Sequence, residues 1–224
     1  MTDLAAVVRF VHAAAAVLLA GAFSFTLLVA RPAFRRMAGE SRAEFAAFLH
    51  IQLRIARWCW LALVASALLW LWLQTAAVSG SVDFQAILTL LWETQYGNVW
   101  SARMILVLGL PLIFRFEAQR RGNDAGILTV IGFILSAASL ASLALAGHAA
   151  AAEGRALIAQ VSVDALHLLA TGIWLGGLLP LALMLRECNR KSDAVTLAVA
   201  GGATKRFSTL AMLMRRHADR NRQL

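Results

Sequence analysis

Five long apolar stretches, separated by short polar or basic segments, set the pattern of this chain. Residues 10–30 hold one ionisable side chain, His12, and stop at Arg31-Pro32, a charge followed by a helix disruptor; this predicts a first membrane-crossing helix. Residues 58–78 contain no charge and carry Trp58, Trp60, Trp70 and Trp72 towards their ends, the aromatic-belt pattern of a second crossing. Residues 127–147 are uncharged and rich in Ala, Ser and Gly, which predicts an inner helix packed closely against its neighbours. Residues 158–185, with the apolar run reaching back to Ala156, are long enough to cross with a tilt, although Asp164 and His167 sit in the first third. Between these, residues 99–116 are interrupted by Arg103, so periodicity alone leaves them open. Residues 83–96 are apolar but too short to cross and are expected to lie along the membrane surface.

Charge decides the open segment. Residues 31–57 carry Arg31, Arg35, Arg36, Arg42, Arg54 and Arg57, whereas residues 76–102 carry Asp83 and Glu93 and no basic residue, so the first connection is expected to be cytoplasmic and the second external. Arg115, Arg120 and Arg121 then require a crossing at 99–116. The expected fold class is therefore all-α, a polytopic transmembrane bundle of about five spans with the N-terminus outside. Residues 1–208 form the transmembrane domain, and 209–224 form a basic cytoplasmic tail whose apolar run is too short to cross. The N-terminal stretch lacks a basic leader segment and is expected to be a retained anchor rather than a signal peptide.

Composition agrees with this class. Of 224 residues, 60% are apolar and 15% charged, with a mean hydropathy of +0.70; soluble domains average about 25% charged residues. The net charge of +9 would suggest a polyanion binder in a soluble protein, but here the basic residues gather in particular loops and read as an orientation signal. Cys59 and Cys188 fall at the cytoplasmic ends of the second and fifth spans, so no structural disulfide is expected. Hydrolytic and redox enzyme motifs are absent, and the chain is not expected to be an enzyme.

An ionisable group inside a span costs roughly 2.5–3.5 kcal/mol on insertion scales, so each needs a reason. His12, His148, Asp164 and His167 all fall in the outer leaflet once the helices alternate in direction. Asp164 lies one turn from His167 on the same face, with Thr171 and Trp174 continuing the stripe, and can orient its imidazole as the supporting carboxylate of a metal ligand does. Imidazoles grouped at a membrane entrance suit copper, zinc, iron or nickel. Met104 would add a thioether, although methionine in a span is more often packing. A lone histidine is more often a hydrogen-bonded polar residue between helices than a ligand; it is the grouping that favours metal. Arg103 is expected to reach outward or to pair with Asp164 or Glu93. His50 and His217 are expected to be solvated, and Gly176-Gly177 with Pro180 to mark a kink or a close-packing face.

The run Gly147-His148-Ala149-Ala150, then Asp164-Ala165-Leu166-His167-Leu168-Leu169-Ala170, then Gly172-Ile173-Trp174-Leu175-Gly176-Gly177-Leu178-Leu179-Pro180-Leu181 resembles the signature of the CopD copper resistance membrane proteins. Arg9-Phe10-Val11-His12, Ala30-Arg31-Pro32 and Tyr96-Gly97 through Arg103 are similar to that family's first and third helices, and the likeness extends over residues 7–208. It implies an inner-membrane protein of bacterial copper homeostasis that moves copper, with a small periplasmic CopC-like copper-binding protein as partner. His12, His148 and His167 would be candidate ligands and Asp164 their support. After Ser208 the chain departs from the family pattern of further spans and reads as shortened at its C-terminus. Two alternatives remain open: a b-type haem electron carrier in which facing histidines supply the axial ligands, and a non-transporting accessory or relic.

Overall fold

The computed structural model describes residues 2–35, 42–119, 125–146, 154–191 and 193–221, and among them the chain is helical with no strand. In chain order the elements are α1 (Thr2–Phe25), a π turn (Thr26–Ala30), α2 (Arg31–Arg35), α3 (Arg42–Ser79), α4 (Phe84–Glu93), α5 (Gln95–Leu108), α6 (Leu110–Gln119), α7 (Ala125–Ala141), a 3-10 turn (Ser142–Ala146), α8 (Gly154–Lys191) and α9 (Ala194–Asn221). Five stretches are long and apolar enough to cross a membrane: Asp3–Arg35, Glu44–Ser79, Gln95–Phe116, Gly126–Leu145 and Ala156–Lys191. They coincide with the five expected spans and extend several of them.

The first span runs past the predicted stop. Pro32 cannot donate to the carbonyl four residues back, and its ring would press on that carbonyl in an ordinary α-helix. The chain widens into a π turn just before it, with the Arg31 amide bonding to the Thr26 carbonyl, and the helix continues to Arg35. Just before the widened turn the Ala22 carbonyl accepts from side chains: Thr26 Oγ1 donates to it at 2.8 Å and Gln52 Nε2, from α3, at 3.2 Å. A small cavity lined by Ala22, Thr26, Gln52 and Thr129 adjoins these groups.

Proline also shapes the third span, which breaks at Gly109 between α5 and α6. Pro111 has no amide to offer the Val107 carbonyl, and the indole of Trp60 on α3 donates to that carbonyl at 2.9 Å. Trp100 Nε1 donates to the Ala67 carbonyl at 3.1 Å, and Arg57 Nη2 to the Phe114 carbonyl at 3.2 Å. These bonds tie α3 to α5 and α6 along their length, where lipid offers no substitute partner.

α1 is the central helix: two-thirds of its apolar window is buried, against one-third in each of the other four spans. It packs on α8, α3 and α7. Lipid tails are as apolar as leucine, so helices in a bilayer are held by close contact rather than by escape from water. Gly21 and Gly176 supply that contact, since a Cβ on either would run into the backbone of the facing helix. Phe23 lies over Gly132 of α7 and stacks on Phe114, with centroids 6.2 Å apart. At the far end of the bundle, Phe25, Phe34, Phe48 and Phe207 form a second cluster with Met184 and Cys188, which brings α9 against α8 and α1. Cys59 belongs to the first cluster, so the two thiols are buried in separate places.

The 83–96 segment forms α4, a short helix with Asp83 at its N-cap. The Asp83 carboxylate accepts from the Ala86 amide at 2.8 Å and from Ser81 Oγ at 3.0 Å, and these bonds, the amide first, hold its pKa below the ordinary value of 3.8. Beyond the expected tail boundary, residues 194–221 form one continuous helix, α9, which is not among the five membrane-length apolar stretches.

Two outcomes follow from these contacts. Gly176→Val should wedge α1 from α8 and destabilise the protein by about 1–3 kcal/mol or more, whereas Gly201→Ala in α9, where a Cβ meets nothing within 4 Å, should stabilise it by about 0.5–1 kcal/mol; thermal unfolding in detergent measures both. Asp83, with its folded pKa depressed, stabilises α4 fully above its unfolded value, and that contribution is lost as pH falls through the folded value. The protection factor of the Ala86 amide, its exchange rate relative to the intrinsic rate at the same pH, should therefore fall on acidification, and Asp83→Asn, which keeps a capping oxygen without a titrating group, should remove that fall.

A candidate metal-handling cluster around His12

His12 lies about three turns into α1 and is 1% exposed, enclosed by α3 and α5. Its Nδ1 is 3.1 Å from Ser66 Oγ. The Ser66 hydroxyl has one proton, and it donates that proton to the Leu63 carbonyl at 3.0 Å. Ser66 can then only accept from the ring, which assigns the proton to Nδ1 and the lone pair to Nε2. Trp70, one turn beyond Ser66, meets the imidazole edge-on with centroids 5.5 Å apart. The Nε2 lone pair faces Arg103 Nη1 at 3.5 Å.

Arg103 is 2% exposed and fixed by more than histidine: Nε donates to Ser142 Oγ at 2.8 Å and Nη2 to the Ser142 carbonyl at 3.1 Å. Ser142 stands where α7 tightens into its final 3-10 turn, the end at which a helix presents unpaired carbonyls and partial negative charge. The expected pairing of Arg103 with Asp164 or Glu93 is not what the structure contains. Among the described residues the ion pairs are Arg190–Glu187 and Lys191–Glu44, and Arg103 uses a helix terminus in place of a carboxylate.

The surroundings are rich in donors. Trp70 Nε1 and the Tyr96 hydroxyl are buried with no hydrogen-bond partner among the described residues. Their rings lie 6.1 Å apart, and the exposed Arg9 guanidinium sits 5.5 Å over the Trp70 ring.

The other sequence candidates occupy different surroundings. His167 is exposed on α8, and its carbonyl accepts from Thr171 Oγ1 at 2.8 Å; Asp164 is partly buried and Trp174 is exposed. His148 lies outside the described residues. His12 and His167 each precede by nine residues the glycine at which α1 and α8 touch, so the two sit at one level, roughly 14 Å from the crossing. They share depth, while His12 turns into the bundle and His167 away from it. Among the described residues no group of three or more His, Cys, Asp or Glu comes together. Met104 packs in the first core cluster, and His50 is exposed on α3; the His217 side chain lies outside the description.

The sequence alone placed none of Ser66, Trp70, Tyr96 and Ser142 beside His12. One signal was present: Ser66 is a hydroxyl in an otherwise strongly apolar stretch. Trp70 was assigned to an aromatic belt, a role that suits the exposed Trp58 and Trp72 but not Trp60 or Trp70, which turn inward.

Comparison with known proteins places the chain in a family. The family model described as copper resistance protein D-like, N-terminal domain, matches residues 1–158. Copper resistance protein D of Pseudomonas syringae pv. tomato is 37% identical over 94 residues, 42% of this chain and 29% of that protein. The inner membrane protein YebZ of Escherichia coli is 27% identical over 179 residues, 77% of this chain and 54% of the relative. The copper transport protein CutJ of Bacillus subtilis is 30% identical over 128 residues, 54% of this chain and 22% of the relative. The chain thus spans about half or less of the length of these relatives. No solved structure matches it. With its family match over residues 1–158 and five membrane-length helices, the chain belongs to the copper resistance protein D-like membrane proteins.

Proposed function

We propose that this chain handles copper at the bacterial inner membrane as part of copper homeostasis and resistance, with His12 as the ligand that receives the ion. The observation that carries the reading is the pinned imidazole: Ser66 fixes the proton on Nδ1, so Nε2 offers its lone pair into the bundle, the arrangement a neutral histidine needs to bind a metal. The names of the relatives support copper as the ion and the inner membrane as the location. Basic residues concentrate at the end of the bundle opposite His12, including Arg31, Arg54, Arg57, Arg186 and Lys191, which supports a periplasmic His12 face and an external N-terminus. In this reading a periplasmic CopC-like protein delivers the ion, His148 and His167 with Asp164 line its approach, and His12 takes it inward. The protein's part is binding and passage rather than bond chemistry.

Purified full-length chain in lipid nanodiscs, titrated with Cu(I) against a colorimetric chelator, tests this. His12→Ala should weaken binding at least about tenfold while His50→Ala leaves it unchanged, with thermal unfolding confirming that both variants fold. Binding indifferent to His12, His148 and His167 would overturn the copper site. A Soret band lost with His12→Ala would replace it with haem. Unchanged cellular copper content in a triple His→Ala strain, despite copper binding by the wild type, would make the chain an accessory that does not transport.

A further inference from the structure

The copper reading leaves one feature unused: a permanently charged guanidinium stands where the ion would have to go. Arg103 Nη1 faces His12 Nε2 at 3.5 Å, while an imidazole-bound metal lies about 2.0–2.1 Å from its nitrogen. Guanidinium and metal cannot both use that lone pair. Arg103 is also tethered, because Ser142 holds it through Nε and Nη2, so a guanidinium pushed off Nε2 stays beside the ion it made way for. No carboxylate screens it in the described surroundings, and the flanking groups, Trp70 Nε1, Tyr96 and Arg9, add donors and another positive charge.

We propose that Arg103 is a specificity-determining residue, a built-in cation that competes for His12 Nε2 and thereby selects a monovalent ion, Cu(I), over divalent metals. Repulsion between fixed charges is proportional to the charge of the arriving ion, so a divalent ion meets twice the opposing energy at the same position. Divalent first-row metals otherwise bind imidazole well, and imidazole alone would not reject them. The buried guanidinium supplies the missing discrimination as a repulsive element rather than as a better fit. This inference rests on His12 being the ligand.

The test uses redox-inert probes on the full chain in nanodiscs, Ag(I) for the monovalent class and Zn(II) for the divalent class, each compared between wild type and Arg103→Gln. Comparing variants with one ion cancels the different ligand preferences of the two metals. Arg103→Gln should tighten Ag(I) binding by about tenfold and Zn(II) binding by about the square of that factor, while Arg103→Lys, which keeps the charge, should retain the wild-type discrimination against Zn(II). Both gains should vanish in Arg103→Gln combined with His12→Ala. Should Arg103→Gln fail to fold, the wild type still answers: on adding Ag(I), nitrogen NMR should find His12 Nε2 and the Arg103 guanidinium shifting together while Nδ1 keeps its proton. An Arg103 signal that ignores bound Ag(I), or equal or absent gains with His12-dependent binding, would overturn this inference and leave the copper reading standing. Binding that ignores His12 would overturn both.

Discussion

A guanidinium inside a bilayer must find every one of its partners within the protein, and the way Arg103 does so organises the His12 end of the bundle. Its bonds to Ser142 Oγ and the Ser142 carbonyl join α5 to the last turn of α7, and its contact with His12 joins both to α1. His12 passes the connection to α3 through Ser66. Four helices therefore meet through one chain of polar contacts, in a region where each polar group left unpaired costs several kcal/mol. A carboxylate partner would have neutralised the guanidinium. The carbonyl end of a helix satisfies its hydrogen bonds while leaving most of its charge in place, which is what gives the cluster its positive character.

The same constraint governs the backbone. Pro32 and Pro111 each withhold an amide inside a membrane-length span, and in both places the structure rearranges locally while the span continues. Near Pro32 the register widens to a π turn, next to the Ala22 carbonyl that accepts from Thr26 and from Gln52 of α3. At Pro111 the released Val107 carbonyl collects the Trp60 indole from α3. The irregular backbone at Pro111 thus doubles as a docking point for a neighbour and adds an interhelical hydrogen bond to contacts otherwise made by small residues. Gly21 and Gly176 provide the closest of those contacts and fix α1 at the centre, where His12 is shielded.

Much of the architecture was legible because bilayer thickness, apolar run length and basic-loop asymmetry act on one-dimensional features of the chain. The five membrane-length helices, the short length of α4 and the buried polar character of His12 belong to this class. Depth was legible too, since counting 1.5 Å per residue places His12 and His167 at one level. Azimuth was not. Whether a side chain points inward depends on where neighbouring helices approach, and that is set by Gly21 against Gly176, contacts between residues remote in sequence. Arg103 was hidden for a related reason: a search for its partner among acidic residues overlooks a helix terminus, which carries negative potential without any residue type to announce it.

The distribution of the cluster along the chain separates two kinds of candidate. His12, Ser66, Trp70, Tyr96, Arg103 and Ser142 all fall within residues 1–158, the part matched by the family model, and they are contributed by α1, α3, α5 and the end of α7. Asp164 and His167 fall beyond it, on α8, whose strongest tie to the cluster is mechanical: Gly176 seats α1 against it. The same helix offers His167 and Trp174 outward. The buried imidazole and guanidinium thus form one physical unit whose partners are all interior. The α8 stripe stands at the same depth on a different surface, so its imidazole and the buried one do not belong to a single set of facing side chains.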